Sequence, residues 1–553
     1  MNQTNSKFQL VLLMLILMFS SVKAFGQNRC LSKAEAAGAI NLFKNSRNEK
    51  LNKSLQKELL KMQKNQQKLV NEIIVKFDDN QSIILERDKT GEENLLRLCG
   101  IVKQNGWLTN SVVGSEGILA AMYIILQSRN ADLQKEIFPV VFEAVKKGQI
   151  DKSFLATMID NYRVNSGLPQ YFGTRFEIED EIIHIAPLWD EQKIEKWRKL
   201  YNLPPFSKAI KELEIANGLP VVKDRISSAL KKSAQNTQKV AEINNPEFDA
   251  LPNLETETED EIIVIDSTLV NINVRINSTN AEGLENLSLD KTDFKVFADG
   301  IEQNVEFFLA AKTPFDLILL LDLSGATSGK QDEIRRSTKK FIEAARPQDR
   351  IAIVTFTDEI NIVSELTTDK KMLLKKAGKI GMTGGSKVWD ALDFVFQEIV
   401  DKESRSRRSA IVFMTDGVDQ TLGSNYRFKP DNGISKISFA DLLENIRSHD
   451  TTIYPIYFDT ETRFGLITER AYRNARRTLK LIAEESGGEM FSVKKAKDLE
   501  GTYDEIIQDL SKIYSLGYLT DTIPADGFWH VLKVELPAYP KLKIITRKGF
   551  YSR

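Results

Sequence analysis

Between residues 313 and 520 the chain alternates short apolar runs with amphipathic stretches. The first run, residues 317–321, is too short to cross a membrane and has polar neighbours, which is typical of a strand buried on both faces of a parallel sheet. Three more apolar runs and two amphipathic stretches follow: 350–356, 410–414 and 452–458, then 388–400 and 439–446. The alternation predicts a doubly wound, Rossmann-like α/β domain at residues 313–520.

The N-terminal part of the chain has the apolar spacing of helices. One group of apolar residues with this spacing comprises Leu55, Leu59, Met62, Leu69 and Ile73. Residues 117–126 and 133–145 have a comparable pattern. Such spacing is typical of helices that pack in a bundle, so we predict an α-helical domain at residues 28–218.

Period-two patterns typical of strands lie on both sides of the predicted α/β domain. The predicted strands are 262–274, 294–297, 305–309, 530–536 and 542–546. Asp299-Gly300 is a dipeptide typical of a tight hairpin turn. We therefore predict a β-rich module at residues 261–312, which the strands within 521–553 join, so that the α/β domain is inserted through it.

A polar segment separates the helical domain from these strands. Residues 233–260 are rich in Asn, Gln and acidic side chains, and from 255 to 261 every residue except Thr256 and Thr258 is acidic. This composition predicts a solvated linker at residues 219–260.

The first 24 residues have the pattern of a secretory signal peptide. Lys7 precedes an apolar core at residues 8–19, and small and polar residues then lead to Ala24. The core is short for a membrane-spanning helix. Cys30 would suggest a lipid anchor, but Arg29 stands before it where a small residue is needed. We expect an extracytoplasmic protein, periplasmic or secreted, with no membrane span after signal removal.

Composition narrows the class of protein. The 553 residues are 42% hydrophobic and 28% charged, as in globular proteins, and the formal net charge of −1 gives no basic field for nucleic acid. The three histidines are scattered and remote from the cysteines, which argues against a zinc cluster. Cys30 and Cys99 could pair in an oxidising compartment if the fold brings them close together.

Oxygen-bearing side chains stand where the predicted strands of the α/β domain end. Asp322 and Ser324 follow the first strand, Asp416 follows the strand at 410–414, and Ser386 lies in a glycine-rich loop before a helix. In open α/β sheets, ligands bind at the carboxyl ends of the strands. Carboxylates and hydroxyls there suit Mg²⁺, which prefers oxygen ligands.

The turn after residue 322 also allows two other interpretations. Ser324, Thr327 or Ser328 could simply cap the following helix, as such residues often do. The turn nearly matches a phosphate-binding loop, but Ser324 replaces its first glycine and Gln331 replaces the hydroxyl residue after Lys330. A nucleotide-binding enzyme is therefore an unfavoured alternative, and no G-x-S-x-G motif indicates a serine hydrolase.

Three short segments resemble the loops of the metal-ion-dependent adhesion site of von Willebrand factor type A domains. They are Asp-Leu-Ser-Gly-Ala at 322–326, Gly-Gly-Ser at 384–386 and Thr-Asp-Gly at 415–417. Flanking residues, among them 289–300 and 547–551, resemble a secreted bacterial subfamily of these proteins.

This resemblance implies roles for individual residues. Asp322 and Ser324 would ligate Mg²⁺ directly, Ser386 would replace the threonine ligand of the family, and Asp416 would act through water. A carboxylate of a protein partner would complete the octahedron. Ala326 departs from the family pattern, which has a second serine there.

Residues 105–176 resemble an uncharacterised bacterial helical family, through motifs such as Gly-Leu-Pro-Gln at 167–170 and Phe-Gly-Thr at 172–174. The resemblance implies no activity, and Ser128 stands where members often have histidine. A set of polar residues here either lines a pocket or caps helices and holds the loop at Pro169: Gln127, Asp160, Arg163, Gln170 and Thr174.

Together with the export signal, the resemblance to type A domains implies an exported protein-binding protein, an adhesion or scaffold protein, and not an enzyme. The α/β domain would bind its partner at the metal site. The alternative is a metal-independent structural scaffold of the cell envelope.

Overall fold

The computed structural model describes most of the chain beyond the predicted signal peptide. The described stretches are 29–45, 51–75, 81–224, 269–277, 289–324, 330–381, 385–402, 407–419, 435–460, 469–519 and 529–551. The predicted signal peptide, most of the predicted linker and Ala326 lie outside them. Two compact units divide the chain, one from the described parts of 1–209 and 223–259, the other from those of 210–222 and 260–553. The domain bounds proposed from the sequence stay predictions.

The first unit is mainly helical, as predicted. Its helices are α1 Lys33–Asn45, α2 Lys53–Val75, α3 Gln81–Asn105, α4 Asn110–Gln127, α5 Ala131–Lys146, α6 Lys152–Asn165, α7 Ile194–Leu200 and the start of α8 Phe206–Asn217. Strands β1 Phe176–Glu179 and β2 Ile182–Ile185 form an antiparallel hairpin. Strand β3 Val221–Lys223 follows α8 and lies mostly in the second unit. The core of this unit includes the fully buried Trp107, Phe154 and Phe172. Among the described helices of the chain, none has both the length and the apolarity that a bilayer span requires.

A disulfide between Cys30 and Cys99 closes the start of the first unit. The two Cα atoms lie 5.3 Å apart and the bond joins residues 69 positions apart, tying the segment before α1 to α3. Glu136 of α5 accepts hydrogen bonds from the backbone amides of Cys30 (2.6 Å) and Leu31 (3.1 Å). The segment is therefore fixed to two helices at once.

The α/β part of the second unit is a six-stranded sheet of order β10-β9-β8-β11-β12-β13. Its strands are β8 Phe315–Asp322, β9 Arg350–Phe356, β10 Ile360–Thr367, β11 Arg408–Thr415, β12 Thr452–Phe458 and β13 Phe491–Val493. The helices are α9 Gln331–Ala344, α10 Lys370–Ala377, α11 Val388–Val395, α12 Phe439–Arg447, α13 Glu469–Ser486 and α14 Leu499–Leu510. All neighbouring strands pair in parallel except β10, which pairs with β9 in antiparallel fashion. The predicted doubly wound fold is confirmed.

Strand β8 lies between β9 and β11, and every residue in it is buried. Its apolar run fills both faces, which is why it takes a central position in the sheet. At the amino end of β8, the carboxylate of Asp316 is paired with Arg350 (2.5 and 2.8 Å) and Arg407 (2.8 Å). At the carboxyl end stands Asp322, the first of the predicted site residues.

Strands from both sides of the α/β part form two antiparallel sheets with a shared core. Their orders are β16-β4-β14-β7 and β17-β15-β5-β6. The strands are β4 Leu269–Asn277, β5 Lys295–Ala298, β6 Ile301–Gln303, β7 Phe307–Leu309, β14 Ile513–Leu519, β15 Trp529–Glu535, β16 Lys543–Ile545 and β17 Gly549–Tyr551. Pairing of β5 with β15 and of β4 with β14 joins residues that precede the α/β part to residues that follow it.

Two details of the β-rich part differ from the sequence interpretation. Strand β14 falls within the range predicted for the α/β domain, yet it pairs with β4 and β7. The turn at Asp299 (φ 49°) and Gly300 (φ 82°) joins β5 to β6, which starts at once with Ile301 opposite Ala298. A two-residue turn requires this immediate pairing, so the partner of β5 across the turn is β6, a strand that was not predicted from the sequence.

The segment Ile210–Val222 belongs to the second unit, although the sequence interpretation places residues 210–218 in the helical domain and 219–222 in the linker. Lys211 donates a hydrogen bond to the backbone carbonyl of Ile437 (2.9 Å), and Asn474 donates one to that of Gly218 (3.0 Å). Glu214 is fully buried and accepts a hydrogen bond from the amide of Phe439 (2.9 Å). These contacts fix the segment to the loop before α12, to the first residue of α12 and to α13.

Glu214 should make the stability of the second unit depend on pH. Burial raises its pKa from 4.5 to about 8, although Lys211 opposes the shift. Between these values the folded protein holds a proton that the unfolded chain has lost, so stability falls as pH rises, by at most about 1.4 kcal/mol per pH unit. We expect Glu214→Gln to remove this slope in urea unfolding measured between about pH 5 and pH 7.

The control is Glu505→Gln, because Glu505 lies exposed on α14 of the same unit. That variant should keep the wild-type slope. A wild-type slope in Glu214→Gln would show that the buried carboxyl does not cause it.

Candidate functional site

The candidate site lies at the carboxyl edge of the six-stranded sheet. Strand β8 ends at Asp322 and β11 ends at Thr415, and their parallel register pairs Leu321 with Met414. The two strands therefore end level with each other. Ligands of open α/β sheets bind at this edge.

Asp322 is the centre of the site and is completely buried. Its Oδ2 atom accepts hydrogen bonds from the hydroxyls of Ser386 (3.0 Å) and Thr415 (2.7 Å). Its Oδ1 atom accepts one from the backbone amide of Ser324 (2.9 Å). Oxygen atoms from three separate parts of the chain thus meet at one carboxylate.

The loop that carries Ser386 is held in place from β9. Gly385, next to Ser386, donates its amide to Oδ2 of Asp358 (2.9 Å), which stands two residues after β9 ends. Ser386 itself is buried. Ends of three neighbouring strands therefore contribute to the position of the Asp322 carboxylate.

Asp416 lies beside Thr415 and is also buried. Its Oδ1 atom accepts a hydrogen bond from the amide of Val418 (3.0 Å), and its Oδ2 atom accepts one from the hydroxyl of Thr460 (3.2 Å). Gly417 between them has φ 71°, a left-handed conformation that favours glycine. In this conformation the backbone amide of Gly417 donates a hydrogen bond to the hydroxyl of Thr415 (2.9 Å).

The two buried carboxyl groups affect each other's protonation. Burial raises the pKa of Asp416 to about 7, and the negative charge of Asp322 adds to this increase. Burial also raises the pKa of Asp322, while hydrogen bonds from Thr415, Ser324 and Ser386 oppose the increase. A bound cation would favour the charged form of both groups.

The donors at this edge fit a small hard cation. Carboxylate and hydroxyl oxygens are the ligands that Mg²⁺ takes, usually with one or two carboxylates and with water or a ligand at the other positions. The residues that the structure describes contain no cluster of three or more His, Cys, Asp or Glu suited to a metal. Metal binding here would therefore depend on the hydroxyls of Ser324 and Ser386 as well as on Asp322.

The structure brings the predicted site residues to one edge of one sheet. Asp322, Ser324, Ser386 and Asp416 all lie there. Ala326 and the glycine-rich loop before Gly385 lie outside the described residues. Whether the four residues hold a metal stays a prediction.

Two hydroxyls of the site were not assigned a role from the sequence. Thr415 contacts Asp322 directly, and Thr460, which follows β12, contacts Asp416. Both lie at or just beyond the carboxyl end of a parallel strand. Looking for polar side chains at the carboxyl ends of β11 and β12, where ligands of open α/β sheets bind, would have found them.

In the helical unit, four of the polar residues singled out in the sequence make hydrogen bonds within or to the loop after α6. The carboxylate of the buried Asp160 accepts hydrogen bonds from the backbone amides of Tyr171 (2.7 Å), Phe172 (3.0 Å) and Thr174 (3.0 Å). The Thr174 hydroxyl also donates to Asp160 (2.8 Å), and Gln170 donates to two backbone carbonyls. Arg163 donates to the carbonyl of Pro169 (2.6 Å). These contacts favour the structural interpretation for Asp160, Arg163, Gln170 and Thr174.

Comparison with known families and structures gives two family matches. Residues 316–505 match the von Willebrand factor type A domain, and residues 53–222 match a family of unknown function, DUF6624. None of the curated proteins compared with the chain is detectably similar to it.

Several solved structures are similar to parts of the chain. The vWF domain of the type V pili tip protein Mfa5 from Porphyromonas gingivalis is 15% identical (35% of this chain, 94% of that one, TM-score 0.28). Proximal thread matrix protein 1 from the mussel byssus, with a zinc-occupied MIDAS motif, is 14% identical (38% and 50%, TM-score 0.30). The pilus adhesin SpaC from Lactobacillus rhamnosus GG is 10% identical (50% and 50%, TM-score 0.30).

The range that matches the family corresponds to the observed α/β part of the second unit, because it begins within β8, the first strand of that part, and ends within α14, its last helix. Type A domains are typically modules for protein interaction rather than enzymes. Residues 316–505 of this chain are a von Willebrand factor type A domain.

Proposed function

We propose that the type A domain binds a protein partner through Mg²⁺ held at the carboxyl edge of its sheet. Asp322, Ser324 and Ser386 would hold the ion directly and Asp416 would act through water. The observation that carries this proposal is the meeting of the Ser386 and Thr415 hydroxyls at Oδ2 of Asp322.

The residues around the site prepare it for one kind of partner group. Bound Mg²⁺ would supply a positive centre with an open position, which a carboxylate of the partner can fill. The amide of Ser324 and the hydroxyl of Thr415 orient Asp322, while Val418 and Thr460 orient Asp416. Because both carboxylates are buried, their interaction with a cation is screened less than at the surface.

The disulfide supports the proposal that the protein works outside the cytoplasm, in the periplasm or after secretion. Bonds such as Cys30–Cys99 form and persist in oxidising compartments and are rare in the cytosol. The signal-peptide pattern at residues 1–24 agrees with this location. An extracytoplasmic place also suits an adhesion or scaffold protein better than an enzyme that consumes nucleotides.

A capture experiment tests the proposed function. The full chain is immobilised, exposed to an envelope extract, and washed with or without chelator. We expect bound protein to be lost with chelator, to return when Mg²⁺ is restored, and to be absent from Asp322→Ala under all conditions. Quantitative mass spectrometry of the eluted protein is the measurement.

The matched control is Asp332→Ala, because the Asp332 side chain on α9 is 87% exposed. This variant should capture the same protein as the wild type. Equal capture by wild type and Asp322→Ala, with and without chelator, would contradict the metal-dependent proposal and favour the metal-independent scaffold. ATP binding that Lys330→Ala abolishes would instead favour the nucleotide-binding alternative.

A further inference from the structure

Three arginines come together in the helical unit. Arg87 lies on α3, Arg129 lies between α4 and α5, and Arg175 directly precedes β1. Oδ1 of Asp88 accepts hydrogen bonds from Arg87 (2.5 and 2.8 Å), and Nε of Arg129 lies 3.7 Å from the same oxygen. The positive charges of Arg129 and Arg87 both act on Arg175.

Arg175 is a buried member of this cluster. It is only 6% exposed, and its Nε atom is buried without a hydrogen-bond acceptor among the residues that the structure describes. Burial and the neighbouring arginines lower its pKa to about 9, so it keeps its charge at neutral pH. A buried cation is costly unless it is paired and hydrogen-bonded. The arrangement therefore favours an anion from outside the chain.

The nearby carboxyl groups do not cancel the positive charge. Asp88 balances one of the three arginines. Burial raises the pKa of Glu177 to about 7, so it is only partly charged at neutral pH. Asp160 also acts on Arg175, but it likewise acts on Arg198 and accepts hydrogen bonds from Tyr171, Phe172 and Thr174 of the loop after α6. The three arginines with Asp88 and Glu177 therefore carry a net charge between one and two.

We propose that Arg87, Arg129 and Arg175 form a binding site for a phosphoryl group, either free phosphate or a phosphate monoester. Such a group carries about −1.5 to −2 charges at neutral pH, which is close in size to the net positive charge of the cluster. The planar fork of each guanidinium matches phosphate oxygens. The side chains of Arg129 and Asp88 are 18% and 16% exposed, so part of the cluster is accessible to solvent.

Calorimetric titration of the full chain with inorganic phosphate tests this proposal at constant ionic strength. We expect saturable binding that Arg175→Gln weakens by roughly tenfold or more, because the variant loses charge-assisted hydrogen bonds. Methyl phosphate in a second titration distinguishes a monoester from free phosphate as the better ligand. Acetate should bind at least roughly tenfold more weakly, since a monoanion neutralises less of the cluster.

Further variants test whether weaker phosphate binding in Arg175→Gln is caused by loss of folding. Arg175→Lys keeps the charge but not the fork, and Arg129→Gln changes a partly exposed residue; both should fold by circular dichroism and still bind phosphate more weakly. Arg97→Gln is the matched control, since Arg97 is exposed on α3 and pairs with Glu58. No saturable phosphate binding, an equal loss in Arg97→Gln, or equal affinity for acetate would overturn the proposal.

Discussion

Asp322→Ala is expected to weaken Mg²⁺ binding by at least about a hundredfold, because even groups that only support metal ligands contribute about ten- to a hundredfold to affinity. Asp322 supplies the carboxylate on which the hydroxyls of Ser386 and Thr415 converge. Titration of the full chain with Mg²⁺ or Mn²⁺, followed by calorimetry, is the measurement. Ser386→Ala should have a smaller effect of about tenfold, since it removes one neutral hydroxyl.

The exposed Asp332 again provides the comparison, and Asp332→Ala should bind Mg²⁺ as the wild type does. Circular dichroism would show whether Asp322→Ala is folded, which matters because the change leaves two hydroxyls and one amide without their acceptor. Wild-type protein that releases no heat with either ion would contradict the metal site. So would an Asp322→Ala variant with unchanged affinity.

The second large effect concerns the helical unit. Cys99→Ser should lower its free energy of unfolding by about 4 kcal/mol, because the disulfide closes a loop of 69 residues and restricts the unfolded chain. Unfolding in urea, followed by a helix signal, measures the change. Adding a reductant to the wild type should destabilise it to a similar extent and should not affect the variant.

The double variant Cys30→Ser/Cys99→Ser separates the bond from the thiol that a single change leaves behind. It should match the single variant within about 1 kcal/mol, since both lack the same cross-link. Equal stability of wild type and double variant would show that the bond does not stabilise the unit.

The central architecture could be predicted because its signals are local. The apolar run of β8 and the helical spacing around it determine a buried parallel strand, and the hydroxyl and carboxyl residues at strand ends determine where a ligand would lie. Strand β10 was missed because it is an edge strand with a mixed apolar and polar sequence, and residues such as Asn361 and Ile362 are exposed. Its pairing depends on β9 rather than on its own pattern.

Other features depend on contacts between distant residues. Glu214 lies in a sequence typical of an ordinary helix, and only the fold shows that the backbone amide of Phe439 donates a hydrogen bond to its carboxyl group. Strand β14 has the apolar pattern of any buried strand, and its partners β4 and β7 lie more than 200 positions earlier. The support of Ser386 by Asp358 through Gly385 likewise requires three strand ends to be in place.

Because β5 pairs with β15 and β4 pairs with β14, the β-rich part encloses the type A domain between two covalent connections. A mechanical load applied between β4 and the end of the chain would pass through these strand pairs and not through the parallel sheet. A single proteolytic cut in either connection would also leave the domain attached by the other one. The edge of the sheet that carries the candidate site is therefore insulated from tension, a useful property if the proposed partner is anchored to something that moves.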